Sequence, residues 1–327
     1  MIVPPLPVDS VDVSVLVPAK DEAENLPLFM EQAAATFAGA THRYEVVVVD
    51  DGSTDGTAAV LASLMERYPF LRVARHRSQR GIAEALRTGY LHAAGNVLVF
   101  YPADLQFKPE DIPRLVAPVL ADEADMVTGF KQGEYDKQFV SGIYNRLSRW
   151  LFNVKVKDLN SVKAYRREIM EGLPARPDWH RYMIVIAAAQ GYTVTEIPVP
   201  LYPRHAGKSK FATWRRIPIG VLDMLSVWFE LRFAKKPLLL FGMLGAALFA
   251  LATLAGLIIG ALAIFTDDFR AAQRPVWTLI TTCLILGSIF FATGILGEQV
   301  AGQRAEIREL RRQLDELRAS REPPTSR

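Results

Sequence analysis

From Leu238 to Phe265 the chain runs for roughly 28 residues without a charged side chain. A bilayer span needs only about 20 predominantly apolar residues, so this run is ample for one crossing. Val276 to Gly297 supplies a second, and only Thr266 to Arg274 separates the two. Asp267, Asp268, Arg270 and Arg274 leave that connection without net charge, whereas Arg232, Lys235 and Lys236 precede the first run and Arg304, Arg308, Arg311 and Arg312 follow the second. By the positive-inside rule both ends of the chain are expected in the cytoplasm. The sequence therefore predicts a two-helix transmembrane hairpin over residues 237–297, with everything before it free to form a cytoplasmic domain.

The apolar surplus behind the positive mean hydropathy of +0.13 sits after residue 236. A net charge of +3 gives no argument for nucleic acid as a partner. The single cysteine, Cys283, lies in an apolar run, which excludes intrachain disulfides and argues against a zinc site. Met1 to Val11 is short, proline-rich and without the basic opening of a cleavable signal peptide.

The first 200 residues alternate strand and helix. Val11 to Val17 reads as a strand stopped by Pro18, and Lys20 to Asn25 leads into a helix reaching about Ala38, with acidic residues at its start. Glu45 to Val49 is a second buried strand, ending in the turn-rich run Asp50 to Thr57 ahead of a helix from about Ala58 to Tyr68. Leu71 to His76 is a third strand, Gly81 to Ala94 a helix, and Val97 to Tyr101 a fourth strand of continuous apolar residues. Short strands at Ala124 to Thr128 and Val194 to Val199 follow. This alternation predicts an α/β fold with a mostly parallel sheet and helices on both faces.

In such sheets ligands bind beyond the carboxyl ends of the strands. Glu22, Asp50, Asp51 and Asp104 stand at those ends, while no Gly-x-Gly-x-x-Gly follows the first strand and no Gly-x-x-x-x-Gly-Lys-Ser/Thr occurs at all. Carboxylates in these places can cap turns, accept hydrogen bonds from a base and ribose, or bind a metal. Three of them in register after three strands favour a nucleotide site over turn caps alone.

Val-Pro-Ala-Lys-Asp-Glu from Val17, Val-Asp-Asp-Gly-Ser-Thr-Asp-Gly-Thr from Val49 and Asp104-Leu105-Gln106 resemble the inverting family 2 glycosyltransferases of the GT-A fold. More narrowly, residues 12 to 211 resemble the polyprenyl-phosphate sugar transferases, the group of dolichyl-phosphate mannose synthase and the undecaprenyl-phosphate glucosyltransferases. The resemblance implies that Pro18, Ala19, Glu22, Asp50, Asp51, Arg80, Gly81 and Asp104 hold a nucleotide sugar. It implies that Asp104 is catalytic and that Asp104 and Gln106 hold Mg²⁺ or Mn²⁺. One departure is large: the family writes Asp-x-Asp before Leu-Gln, and here Pro102 takes the first position. The metal site is then expected to be weakened, although Mg²⁺ commonly uses only one or two protein carboxylates and keeps its waters.

Between Lys131 and Lys163, basic residues alternate with aromatics, a pattern open to three readings: a surface for single-stranded nucleic acid, an ordinary basic helix face, or an acceptor-phosphate loop. The family supplies the last of these, a basic residue and a serine four positions on, which Lys137 and Ser141 fit, with Lys131 close by. Asp158-Leu159-Asn160-Ser161 resembles the family's Asp-x-x-Ser, with Val162-Lys163 where Gly-Phe is usual. Arg204 to Lys210 matches Arg-x-x-Gly-x-Ser-Lys, cations about a glycine turn, suited to phosphates. Arg204 and Lys210 are thereby expected at the acceptor phosphate.

Phe211 to Lys236 mixes tryptophan, phenylalanine, arginine and lysine, the composition of helices lying in a membrane interface. Ile307, Leu310, Leu314 and Leu317 form an a/d seam of about two heptads, suited to a homo-oligomer or to packing on the catalytic domain. The expected domains are a cytoplasmic GT-A domain (1–209), juxtamembrane helices (210–236), the hairpin (237–297) and a C-terminal amphipathic helix and tail (298–327). The reading is transfer of one sugar from a UDP- or GDP-hexose to a membrane polyprenyl phosphate, at the cytoplasmic face of a bacterial inner membrane. Two alternatives stand beside it. A pseudoenzyme scaffold is argued by Pro102. A processive polysaccharide synthase would need a Gln-x-x-Arg-Trp motif, and Trp179-His180-Arg181-Tyr182 is not one.

Overall fold

Strand β1 (Val13–Ala19) buries every residue but Pro18, and β2 (Tyr44–Asp50) buries all seven. Mostly apolar strands buried along their whole length need cover on both faces, and the helices between them provide it. Helix α1 (Leu26–Phe37) turns Leu26, Phe29, Met30 and Ala33 inward at helical spacing. Helices α2 (Thr57–Arg67) and α3 (Ile82–His92) follow β2 and β3 (Leu71–Arg75). Gly89 of α3 sits over the first two strands, where an added Cβ would meet Leu16 at 3.4 Å and Val49 at 3.5 Å.

This is a computed structural model, and it describes residues 11–132, 151–152, 154, 156–173, 179–206, 216–233, 236–265 and 273–321. The chain divides into two units, Met1–Val221 and Leu222–Arg327. In the first, β4 (Val97–Phe100) leads through a short 3₁₀ turn to α4 (Ile112–Leu120). Then come β5 (Met126–Gln132), β6 (Lys163–Arg166), α5 (Arg167–Glu171), α6 (Trp179–Ala189) and β7 (Val194–Pro200). The sheet order is β3-β2-β1-β4-β6-β5-β7. Four neighbouring pairs are parallel, and β6 runs antiparallel to both β4 and β5. The mostly parallel sheet is as expected, but β6 was not foreseen. Its four residues, Lys-Ala-Tyr-Arg, carry a cation at each end and no apolar run to mark a strand.

The first helix begins at Leu26, directly after the Lys20 to Asn25 run expected to lead into it, but it holds no acidic residue in its first turn. Lys20 to Asn25 instead form a turn in which Asp21 adopts φ +53°. Its side chain is committed to the neighbouring strand's loop: Asp21 Oδ1 accepts from Thr54 N at 2.8 Å, and Asp21 N donates to Ser53 Oγ at 2.9 Å.

The second unit holds two helices long and apolar enough to cross a membrane, over Pro237–Leu262 and Pro275–Ile307. They belong to α8 (Pro237–Phe265) and α9 (Gln273–Arg321), which follow α7 (Arg216–Phe233). Met243, Leu257, Ile285 and Leu296 are each more than half exposed, a surface that water would penalise and lipid would not. Glycines let the helix pair approach: a Cβ on Gly245 would lie 2.8 Å from the Gly287 carbonyl oxygen. The amphipathic segment expected as a separate helix after residue 297 continues α9 without a break. No proline falls between Pro275 and Pro323, and residues 298–321 are mostly glutamate, glutamine, arginine, alanine and leucine, all good helix formers.

Candidate active site

The carboxyl ends of β1, β2 and β4 lie side by side, with Ala19 opposite Asp50 and Leu16 opposite Phe100. Between β1 and β4 the strand order reverses direction, the place where open α/β sheets hold ligands. Pro18, Ala19, Glu22, Asp50, Asp51 and Asp104 therefore gather at one end of the sheet, and backbone contacts join their loops. Asp51 N donates to Ala19 O at 2.8 Å, and Lys20 Nζ donates to the Gly52 carbonyl. Glu22 takes part twice: its backbone N–H reaches Thr57 Oγ1 at 2.9 Å, and its Oε2 accepts from Asn25 Nδ2 at 2.6 Å.

The two aspartates after β2 are divided in their work. Asp50 is fully buried, accepting from Ser53 N at 2.8 Å and facing Arg75 Nε at 3.0 Å. Asp51 reaches the next loop, accepting from the backbone N–H groups of Arg80 at 2.7 Å and Gly81 at 2.8 Å, with His76 Nδ1 also at 2.7 Å. Burial alone would push the Asp51 carboxyl up, but the hydrogen bonds from His76, Arg80 and Gly81 outweigh it and hold its pKa below the ordinary carboxylate value. Thr88 Oγ1, 2.9 Å from Nε2, fixes the other side of the His76 ring.

Gly81 has φ +93°, and a Cβ there would meet nothing within 4 Å, so this backbone borders open space. Gly52, at φ +68°, is its opposite: a Cβ would lie 2.7 Å from the Ser78 backbone. The one glycine lets two loops touch, and the other lets the backbone turn where a ligand can approach.

After β4, Tyr101 is buried and its hydroxyl donates to Lys108 O at 2.6 Å, tying off the loop between them. Within that loop Leu105 adopts φ +58°, a left-handed conformation uncommon for leucine and found where surroundings impose it. Asp104 Oδ1 accepts from Gln106 N at 3.2 Å, while Asp104 Oδ2 lies 2.8 Å from Arg204 Nη2. The same nitrogen lies 3.5 Å from Gln106 Oε1. Burial raises the Asp104 pKa, and Arg204 is the largest influence against that rise. Among the described residues no group of three or more histidine, cysteine, aspartate or glutamate side chains could hold a metal ion. The side-chain oxygens that the loop offers at this point are those of Asp104 and Gln106, Pro102 having none in its side chain.

A second cluster lies across β4. Lys131 Nζ stands 3.2 Å from Asp158 Oδ2, and Lys163 Nζ donates to Ser161 O at 2.8 Å. Lys163 is wholly buried, and that burial lowers its pKa to about 7 despite the opposing charge of Asp158.

Arg204 thus meets Asp104 and Gln106 directly, and Lys131 meets Asp158. Lys137, Ser141 and Lys210 lie outside the described residues. Sequence reasoning passed over His76 and Lys163. The first was legible as the last residue of a strand reading, the kind of place where the carboxylates also stand; nothing in a four-residue Lys-Ala-Tyr-Arg run announces a buried lysine.

A family model described as glycosyl transferase family 2 matches residues 14–171, the span holding all of these strand ends but β7. A relative from Rhizobium johnstonii, dodecaprenyl-phosphate galacturonate synthase, is 31% identical over 308 residues, covering 90% of this chain and 89% of its own. The chain belongs to glycosyl transferase family 2.

Other relatives of this glycosyltransferase are undecaprenyl-phosphate 4-deoxy-4-formamido-L-arabinose transferases. One from Sodalis glossinidius is 27% identical, covering 98% of each chain. One from Pseudomonas fluorescens is 29% identical, covering 90% of this chain and 86% of its own. Among solved structures, glucosyl-3-phosphoglycerate synthase from Mycobacterium tuberculosis, in complex with Mn²⁺, uridine diphosphate and glucosyl-3-phosphoglycerate, superposes with a TM-score of 0.53. It is 18% identical and covers 68% of this chain and 80% of its own, a likeness of fold. The GT-A expectation is thereby met, and the two apolar helices follow the catalytic sheet as the sequence predicted.

Proposed function

We propose that this glycosyltransferase moves a single sugar, with inversion, from a nucleotide sugar to a polyprenyl phosphate at the cytoplasmic face of a bacterial inner membrane. The relatives named for dodecaprenyl and undecaprenyl phosphate support the acceptor class. The observation that carries the reading is the convergence of Asp104 and Gln106 on one cationic group beside the nucleotide-side carboxylates.

The donor side comprises Pro18, Ala19, Glu22, Asp50, Asp51, Arg80, Gly81 and Asp104. Asp51 acts by holding the Arg80–Gly81 backbone at the edge of the open space, and Asp50 by fixing the turn that begins at Ser53. Asp104 and Gln106 would hold Mg²⁺ or Mn²⁺. Their two oxygens already face a single cation, the Arg204 guanidinium, and two protein oxygens with diphosphate and water suffice for Mg²⁺. When bound, such an ion supplies charge neutralisation for the departing nucleoside diphosphate.

A phosphate monoester is largely ionised at neutral pH, with a second pKa of about 6 by analogy with phosphorylated side chains. It needs no base to attack the anomeric carbon. The bond from that carbon to the nucleoside diphosphate breaks as the bond to the lipid phosphate oxygen forms on the opposite face. The protein's task is to bring two anions together, and fixed cations offset their repulsion. Lys131, Lys137, Ser141, Arg204 and Lys210 are assigned to the acceptor phosphate, and the two apolar helices keep the enzyme at the bilayer surface where that phosphate lies.

Release of nucleoside diphosphate tests this reading. Purified enzyme with a panel of UDP- and GDP-sugars is expected to release UDP or GDP only when a polyprenyl phosphate is added. Release that ignores the lipid phosphate would overturn the acceptor assignment.

A further inference from the structure

Arg204 stands a hundred positions from Asp104 in the chain, yet its guanidinium closes on both oxygen donors of the Asp104 loop. The backbone beneath it is held independently. Tyr202 N donates to Gln106 O at 2.9 Å, Lys108 Nζ lies 4.1 Å above the Tyr202 ring, and Asn25 Nδ2 reaches Ala206 O at 3.4 Å. With the segment anchored on both sides of residue 204, the arginine side chain can change partners without the backbone moving. It is also within reach of water, its side chain being 23% exposed against 12% for Asp104.

The same Asp104 oxygen cannot serve a guanidinium at 2.8 Å and a divalent ion at its closer ligand distance. In a site with a carboxylate at position 102, an ion could bind while leaving Arg204 in place. Here Pro102 leaves Asp104 as the one carboxylate in the loop, so the two cations compete for it. We propose that Arg204 is a loading-dependent latch. Before a divalent ion arrives it neutralises buried Asp104; once Asp104 and Gln106 take the ion, Arg204 is released and turns to the acceptor phosphate. This rests on the metal and acceptor assignments made above and adds an order to them. Donor-side loading creates the cation that the acceptor needs, and by linkage acceptor binding strengthens ion binding by the same factor.

The experiment measures binding rather than turnover. Farnesyl phosphate, a short isoprenyl phosphate, is titrated calorimetrically into the full chain in detergent, with UDP or GDP supplying the diphosphate ligands and no sugar to transfer, with and without Mn²⁺. For the wild type, Mn²⁺ is expected to tighten farnesyl phosphate about tenfold, within the usual range of such couplings. Asp104→Asn frees Arg204 without any metal, and is expected to bind as tightly without Mn²⁺ as the wild type does with it. Loss of a negative charge could by itself favour an anion, so the double variant Asp104→Asn with Arg204→Ala separates the causes. The latch requires the gain to vanish in the double variant, whereas a gain that persists there overturns it. The latch is equally overturned if farnesyl phosphate binds the wild type and the affinity ignores Mn²⁺. If no variant binds farnesyl phosphate under any condition, the acceptor assignment itself falls, and the latch with it.

Discussion

His76 Nδ1 lies 2.7 Å from Asp51 Oδ1, so a carboxylate assigned from sequence to a nucleotide also fastens three pieces of protein together. The other bonds of Asp51 run to the Arg80 and Gly81 backbone, and the ring of His76 is steadied by Thr88. Asp51→Asn keeps the size but removes the charge and one acceptor. It is expected to cost about 1.5–3 kcal/mol of stability, the range for hydrogen bonds to an ionised group. Nucleoside diphosphate affinity should fall with it, since the Arg80–Gly81 loop loses its anchor. Urea unfolding and diphosphate titration of the same variant check both, and an unchanged midpoint would remove Asp51 from this role.

Lys163 gives a pH dependence of definite sign. Its pKa in the fold is about 7 against an ordinary value of 10.5, so above pH 7 the unfolded chain binds the extra proton. Its contribution is present above 10.5 and lost as pH falls through 7, because at low pH the buried ammonium must be carried. Lys163→Met should therefore raise the thermal midpoint relative to the wild type at pH 6, with the advantage shrinking by pH 10. An advantage that grows with pH would contradict the burial of a strained lysine.

The helix pair is expected to be sensitive at Gly245 and indifferent at Gly256. A side chain on Gly245 would press on the Gly287 carbonyl, while one on Gly256 would meet nothing within 4 Å. Gly245→Val should cost about 1–3 kcal/mol, the usual penalty for overpacking, and Gly256→Val close to none. Thermal midpoints in detergent distinguish them, and equal effects would mean that α8 and α9 do not pack through this stripe.

The proposed orientation in the membrane rests on charge alone and is tested by labelling. In a Cys283→Ser background, Asp268→Cys should react with an impermeant thiol reagent on intact cells and Ser320→Cys should not. The reverse pattern would invert the proposed topology.

Strands β1, β2 and β4 were legible because each is a mostly apolar run that only a covered parallel sheet can bury. Their ends marked the candidate site for the same reason, since a polar side chain directly after such a run must stand at the end of the sheet. The two long apolar helices were legible from length and absence of charge. What escaped reading depends on contacts between distant positions. Nothing in the sequence spacing brings Arg204 to Asp104, because the Arg-x-x-Gly-x-Ser-Lys pattern after β7 led to an expectation of phosphate and not of the carboxylate beside which the arginine rests. Lys163 escaped because a lysine is normally evidence against burial, and only the antiparallel β6 places it inside.

The most direct measurement is the mass of the lipid product. Purified enzyme, undecaprenyl phosphate, Mn²⁺ and a panel of nucleotide sugars are incubated, and the lipid is extracted for mass spectrometry. The account predicts that one donor shifts the lipid by the mass of a single sugar residue, with one phosphate retained and no longer ladder. A lipid left unmodified with every donor, or carrying a series of added sugars, would contradict it.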